Sequence, residues 1–81
     1  MKYVVTGGAG FIGSNIVKLL VKKGHQVTVI DNLHTGSLSR LKNVKNEISF
    51  HKVDIRDVEK IKEVITDIDG IFHQAALTSL P

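Results

Sequence analysis

The chain has 81 residues, with eleven Lys or Arg against eight Asp or Glu, a formal charge of +3 and no cysteine. Without cysteine there are no disulfides, thiolate nucleophiles or cysteine metal ligands, which fits a reducing cytoplasm. No apolar run approaches a membrane span, no signal-peptide layout follows Met1 and Lys2, and the dispersed lysines lack the clustering and aromatic stripe of a nucleic-acid binder.

A single small domain of this length buries only about 60–65% of the surface its unfolded form exposes, so marginal stability is expected. The same length predicts that the chain is part of something larger, because a complete enzyme with a separate region for its substrate needs more sequence. Short apolar runs alternate with helical spacing, the pattern of βα units.

The first run, Lys2 to Thr6, reads as a strand and leads directly into TGGAGFIGS, Thr6 to Ser14. A chain leaving a strand and entering a helix here must turn sharply, and Gly7 adopts backbone angles closed to other residues. Gly10 removes a Cβ from the approach of a pyrophosphate, and Gly13 lets the helix pack closely on the sheet. The amides of Phe11 and Ile12 then face the anion at the positive end of the helix. This is a dinucleotide-binding fingerprint, and the missing GK[ST] argues against an ATP- or GTP-cleaving phosphate loop. Phe11, Ile12, Ile16, Leu19 and Leu20 form the predicted apolar stripe of the helix, which Gly24 ends in a left-handed cap.

The second strand, Gln26 to Ile30, ends at Asp31, eighteen residues beyond Gly13. At that carboxyl edge the two Asp31 oxygens can accept both adenosine ribose hydroxyls, and their charge repels a 2′-phosphate, so NAD is expected over NADP. The polar stretch Asn32 to Glu47 has room for a short helix around Ser37 to Lys42. A third strand, Ile48 to Val53, brings Asp54 to the same edge. Asp54 can accept from the adenine amino group with Ile55 against the ring, or cap its own turn, and the two readings coexist.

Asp57 is a candidate N-cap for a helix with a buried stripe at Val58, Ile61, Val64, Ile65 and Ile68, flanked by a Lys60–Glu63 pair. The fourth strand is Gly70 to His73. His25, His34, His51 and His73 sit on different elements without metal-ligand spacing, so no metal site is predicted.

Right-handed crossovers turn this order into an α/β doubly wound parallel sheet, a truncated Rossmann fold with strands 3-2-1-4 and helices on both faces. The first two crossovers cover one face and the Val58 to Ile68 helix the other. Strand 4 is left with an exposed edge, which a homodimer would relieve.

Taken together, Thr6 to Ser14, Asp31-Asn32-Leu33 with Gly36, Asp54-Ile55-Arg56-Asp57 and Phe72-His73-Gln74-Ala75-Ala76 resemble the N-terminal part of the extended short-chain dehydrogenase/reductase family, and within it the nucleotide-sugar 4-epimerases. The resemblance covers all 81 residues. It implies residues 1–81 as a partial NAD-binding Rossmann domain, with Gly7, Gly10, Phe11, Ile12 and Gly13 on the pyrophosphate. Asp31 and Asn32, with Gly36 or Ser37, would serve the adenosine ribose, Asp54 and Ile55 would flank adenine, and Ala75, Ala76 and Leu77 would line the middle of the cofactor.

Family members of this kind interconvert UDP-sugars by transient oxidation at C4, using a YxxxK tyrosine and lysine. The only tyrosine here is Tyr3, with glycine at position 7 where the lysine would stand, so no residue of this chain is a catalytic candidate. The resemblance therefore implies an NAD-binding segment, with the UDP-sugar engaged only in a complete enzyme. A nucleotide-sugar 4,6-dehydratase or reductase would share these motifs, and a non-catalytic, self-associating fragment is the reading from a different class.

Overall fold

The structure, a computed structural model, describes residues 1–33 and 37–74. The expectations at Gly36, Ala75, Ala76 and Leu77 lie outside the described residues. Four strands, β1 (Lys2–Thr6), β2 (Gln26–Ile30), β3 (Ile48–His51) and β4 (Gly70–His73), form one parallel sheet in the order β3-β2-β1-β4. Helix α1 (Phe11–Lys22) connects β1 to β2, a 3₁₀ helix (Leu38–Glu47) lies between β2 and β3, and α2 (Val58–Val64) between β3 and β4. The sheet is the doubly wound order expected from the sequence, and the pairing is in register from Lys2 opposite Gln26 to Thr6 opposite Ile30, and from Tyr3 opposite Gly70 to Thr6 opposite His73.

Alternation along the strands divides the apolar residues between the two faces. Val5, Val27 and Val29 meet Val17 and Leu20 of α1 and Leu41 and Val44 of the 3₁₀ helix in one buried cluster. On the opposite face Val4 and Ile30 are fully buried. Two crossovers thus share one core.

The stripe of α1 is only partly the one the sequence suggested: Leu20 is buried and Ile16 packs half-buried against the core, but Phe11, Ile12 and Leu19 do not join them. Its buried residues are Gly13, Ser14, Val17 and Leu20, while Phe11 is 72% and Ile12 63% exposed, and Leu19 also faces outward. The reason is the close seating of Gly13 on the turn, which fixes the rotation of the helix and carries its first-turn side chains away from the sheet. The far end matches expectation. Gly24, at φ +85°, donates to the Val21 carbonyl and His25 to that of Leu20, the paired bonds of a Schellman cap.

The other helices differ in length from expectation. The predicted Ser37 to Lys42 segment extends as a ten-residue 3₁₀ helix capped by the Ser37 hydroxyl, which accepts from the Ser39 amide. Three residues per turn align Leu38, Leu41 and Val44 on one row, and Leu41 and Val44 are buried. β3 stops at His51, short of Val53, and α2 stops at Val64, short of Ile68. Asp67, at φ 54°, lies in the left-handed region just past α2, and the α2 stripe is half-buried at best, with Val58 exposed. Asp57 caps this helix as expected, accepting from the Lys60 amide at 3.3 Å. The sole ion pair among the described residues is Arg56–Asp54, so Lys60 and Glu63 do not pair. No helix among the described residues is long and apolar enough to cross a membrane.

Candidate functional site

All carboxyl ends of the parallel strands lie at one edge of the sheet, and the order reverses beside β1, the place at which open α/β sheets bind their ligands. The turn after β1 sits at that point. Gly7 leaves the strand at φ 72°, donates to the Ile30 carbonyl at 2.7 Å, and its own carbonyl accepts from Gly10 at 3.0 Å. The first intrahelical bond of α1 runs from Ser14 to the Gly10 carbonyl at 2.8 Å. The amides of Phe11, Ile12 and Gly13 therefore precede the helical ladder. No side chain caps them, and no acidic residue stands in the first turn. They form a positive end, built without cationic side chains, against which an anion can settle.

Gly13 is where this arrangement is tightest. A Cβ there would lie 2.1 Å from the Gly7 carbonyl oxygen, so the helix start rests directly on the backbone of the turn. Gly8, which the motif spacing leaves unassigned, has a related role: a Cβ would come within 2.5 Å of Val29. Its proximity to β2 has no signature in the sequence beyond the glycine itself.

Asp31 stands beside the turn and is only 7% exposed. Its Oδ2 accepts from the Ala9 amide at 2.9 Å and its Oδ1 from the Leu33 amide at 2.7 Å. The first bond ties the phosphate turn to the end of β2. The second closes a tight local turn in which Leu33 adopts φ 63°, a conformation rare for a branched apolar residue. Each oxygen retains a lone pair for a further donor.

Asp54 and Asn32 come together at the neighbouring strand end. Arg56 grips the Asp54 carboxylate from Nε at 3.0 Å and Nη2 at 2.7 Å, and the Arg56 amide donates to Oδ1 at 2.8 Å. Those side-chain bonds, followed by the backbone bond and aided by one from Asn32, hold the Asp54 carboxyl well below the usual carboxylate range. The Asp57 amide closes the turn on the Asp54 carbonyl at 2.9 Å, with half-buried Ile55 inside it. Asp54 is therefore a turn cap, its carboxylate engaged on both oxygens by Arg56.

Ser37, expected near the ribose, is tied to the phosphate turn, its amide donating to the Ala9 carbonyl at 2.9 Å. At the same sheet edge, Thr6 Oγ1 and His73 Nδ1 are 2.8 Å apart and link β1 to β4. Tyr3 is at the other end of β1, about 13 Å from Gly7 at strand rise. It packs edge-on to His25 and Phe72 with its hydroxyl donating to the Met1 sulfur. Among the described residues no cluster of three His, Asp or Glu could hold a metal ion.

Comparison with known proteins fits this geometry. The model of the NAD dependent epimerase/dehydratase family matches residues 3–81. A UDP-glucose 4-epimerase of Neisseria meningitidis serogroup B is 42% identical over 85 aligned positions, covering 98% of this chain and 25% of the relative. Among solved structures, the Thermus thermophilus UDP-glucose 4-epimerase in complex with NAD superposes with a TM-score of 0.82 at 42% identity, covering 94% of this chain and 24% of that one. The dTDP-glucose 4,6-dehydratase of Bacillus anthracis, also in complex with NAD, gives 0.87 at 34% identity, with 94% and 27% covered. The chain thus spans about a quarter of the length of these relatives.

Proposed function

The chain belongs to the NAD dependent epimerase/dehydratase family, and from that premise we propose that residues 1–81 are part of an NAD-binding Rossmann domain that grips the ADP half of the cofactor. The observation that carries this reading is the uncapped first turn of α1 standing beside a buried carboxylate. The amides of Phe11, Ile12 and Gly13 take the pyrophosphate, with Gly7 and Gly10 shaping its approach. Asp31 takes the ribose hydroxyls on its remaining lone pairs, with Asn32 beside it, and Asp54 and Ile55 flank adenine. Gly36 and Ser37 complete the ribose side, and Ala75, Ala76 and Leu77 follow the cofactor past β4. NAD, when bound, supplies a hydride acceptor and donor; these residues bind and orient it.

The reaction served is the interconversion of UDP-sugars by transient C4 oxidation, in keeping with the epimerase relatives. The equally good superposition of a 4,6-dehydratase favours a second reading, since that reaction also begins from an NAD-bound nucleotide sugar. Both place the acid/base chemistry outside Tyr3. An NAD site in a chain without cysteine suits the reducing cytoplasm.

Calorimetric titration of the folded 81-residue chain with NAD and with ADP-ribose tests this. Both should bind, ADP-ribose retaining most of the affinity; no heat from either at millimolar ligand contradicts the assignment. The open edge of β4, with exposed Ile71 and Phe72, is the surface on which a second copy would pair. Light scattering should then show a dimer, and a monomer across a wide concentration range removes self-association.

A further inference from the structure

We infer that Arg40 is a positioning residue of the phosphate turn, a role that rests on the NAD reading above and extends it to the 3₁₀ helix. The restraints meet at Ala9, which is fully buried two residues before α1 begins. Its amide donates to Asp31 Oδ2 at 2.9 Å, and its carbonyl accepts twice, from the Ser37 amide at 2.9 Å and from Arg40 Nη1 at 3.1 Å. The peptide between Ala9 and Gly10 is thus held at both ends, since the Gly10 amide donates to the Gly7 carbonyl at 3.0 Å. Rotation of that peptide is what would swing the following amides, Phe11 and Ile12, away from a ligand.

The two donors on the carbonyl come from one rigid source. The Arg40 amide donates to the Ser37 carbonyl at 3.1 Å, and the next residue, Leu41, is buried in the core. The first turn of the 3₁₀ helix is therefore anchored before its guanidinium reaches out. That planar fork holds its angle to an acceptor better than a lysine ammonium does. Half-exposed and outside the one ion pair among the described residues, Arg40 contributes little to the sheet itself. Without it the Ser37 amide still satisfies the Ala9 carbonyl, so the fold persists while the turn loses one of its two restraints. Donors fixed in advance bind more tightly than donors that must first be ordered.

The test titrates wild type, Arg40→Ala and Arg40→Lys with NAD, ADP and adenosine, at low and high salt, with unfolding curves alongside. Arg40→Ala should unfold close to wild type yet bind NAD and ADP about tenfold more weakly, with adenosine affected little. Arg40→Lys should recover only part of the loss, and the loss should persist at high salt, where a through-space charge effect is screened. Equal binding by wild type and Arg40→Ala overturns the inference and leaves the NAD reading standing. So does an equal loss for adenosine, a loss that vanishes at high salt, or an Arg40→Ala chain that does not fold, since each makes the residue a distant charge or a structural prop. A folded wild-type chain that binds neither NAD nor ADP removes the NAD reading and this inference with it.

Discussion

Replacing Gly13 with alanine forces apart the two pieces of backbone that define the site. The new Cβ would lie 2.1 Å from the Gly7 oxygen, 2.9 Å from the Gly7 carbonyl carbon and 3.0 Å from the Gly8 Cα. All three atoms are main chain, so no side chain can move aside. Restoring ordinary contact lifts the start of α1 by about 1 Å, and a gap of that size forfeits about a quarter to a half of the dispersion at each contact it opens. The side chains that α1 commits to the core are Val17 and Leu20, each contributing about 1.5–3 kcal/mol when buried. A partial loss at both, with residual strain in the turn, amounts to about 2–3 kcal/mol. Against a total of about 4–12 kcal/mol for a domain this small, that lowers Tm by about 10–20 °C. Urea and thermal unfolding followed by far-UV circular dichroism measure both quantities. A Gly13→Ala chain within about 0.5 kcal/mol of wild type would refute the close seating of α1 and the explanation it gives for the outward Phe11 and Ile12.

Gly10→Ala should behave in the opposite manner, because its Cβ meets only the Gly7 oxygen at 3.3 Å: near-native unfolding, but NAD affinity reduced at least about tenfold, as calorimetry would register. Asp31→Ala leaves the Ala9 and Leu33 amides without their acceptor and should cost about 2 kcal/mol in urea unfolding. It should also weaken NAD more than NADP; equal weakening would remove the ribose assignment. Because the Asp54 carboxyl is held below its ordinary value of 3.8, its contribution is present above that pH and is lost as pH falls through the lower, folded value. Acid unfolding of Asp54→Asn should accordingly lose part of its pH dependence below 3.8, modestly because the pair is exposed and screened, and superimposable acid curves would contradict the Arg56 grip.

The turn was legible in the sequence because its demands are local. Positive φ at Gly7 and the absence of a Cβ at Gly13 are properties of single residues at fixed offsets, and Asp31 follows from the length of one helix and one strand. The sheet order followed from handedness. The rotation of α1 was legible only in part, since apolar spacing that includes Ile16 and Leu20 fits Phe11, Ile12 and Leu19 as well as Val17, and only the seating of Gly13 decides between them. The bonds that unite the site were equally hidden: Asp31, Ser37 and Arg40 all converge on Ala9, a residue whose side chain carries no chemistry. The 3₁₀ row of Leu38, Leu41 and Val44 has no helical signature in the sequence because its period is three in a stretch that reads as polar.

Whether the first turn of α1 receives the cofactor's pyrophosphate is tested residue by residue by amide nuclear magnetic resonance during an NAD titration. The largest shifts should fall on the amides of Phe11, Ile12 and Gly13, with Ala9 following through its bond to Asp31. Binding that leaves those four amides unmoved while others shift would place the pyrophosphate elsewhere.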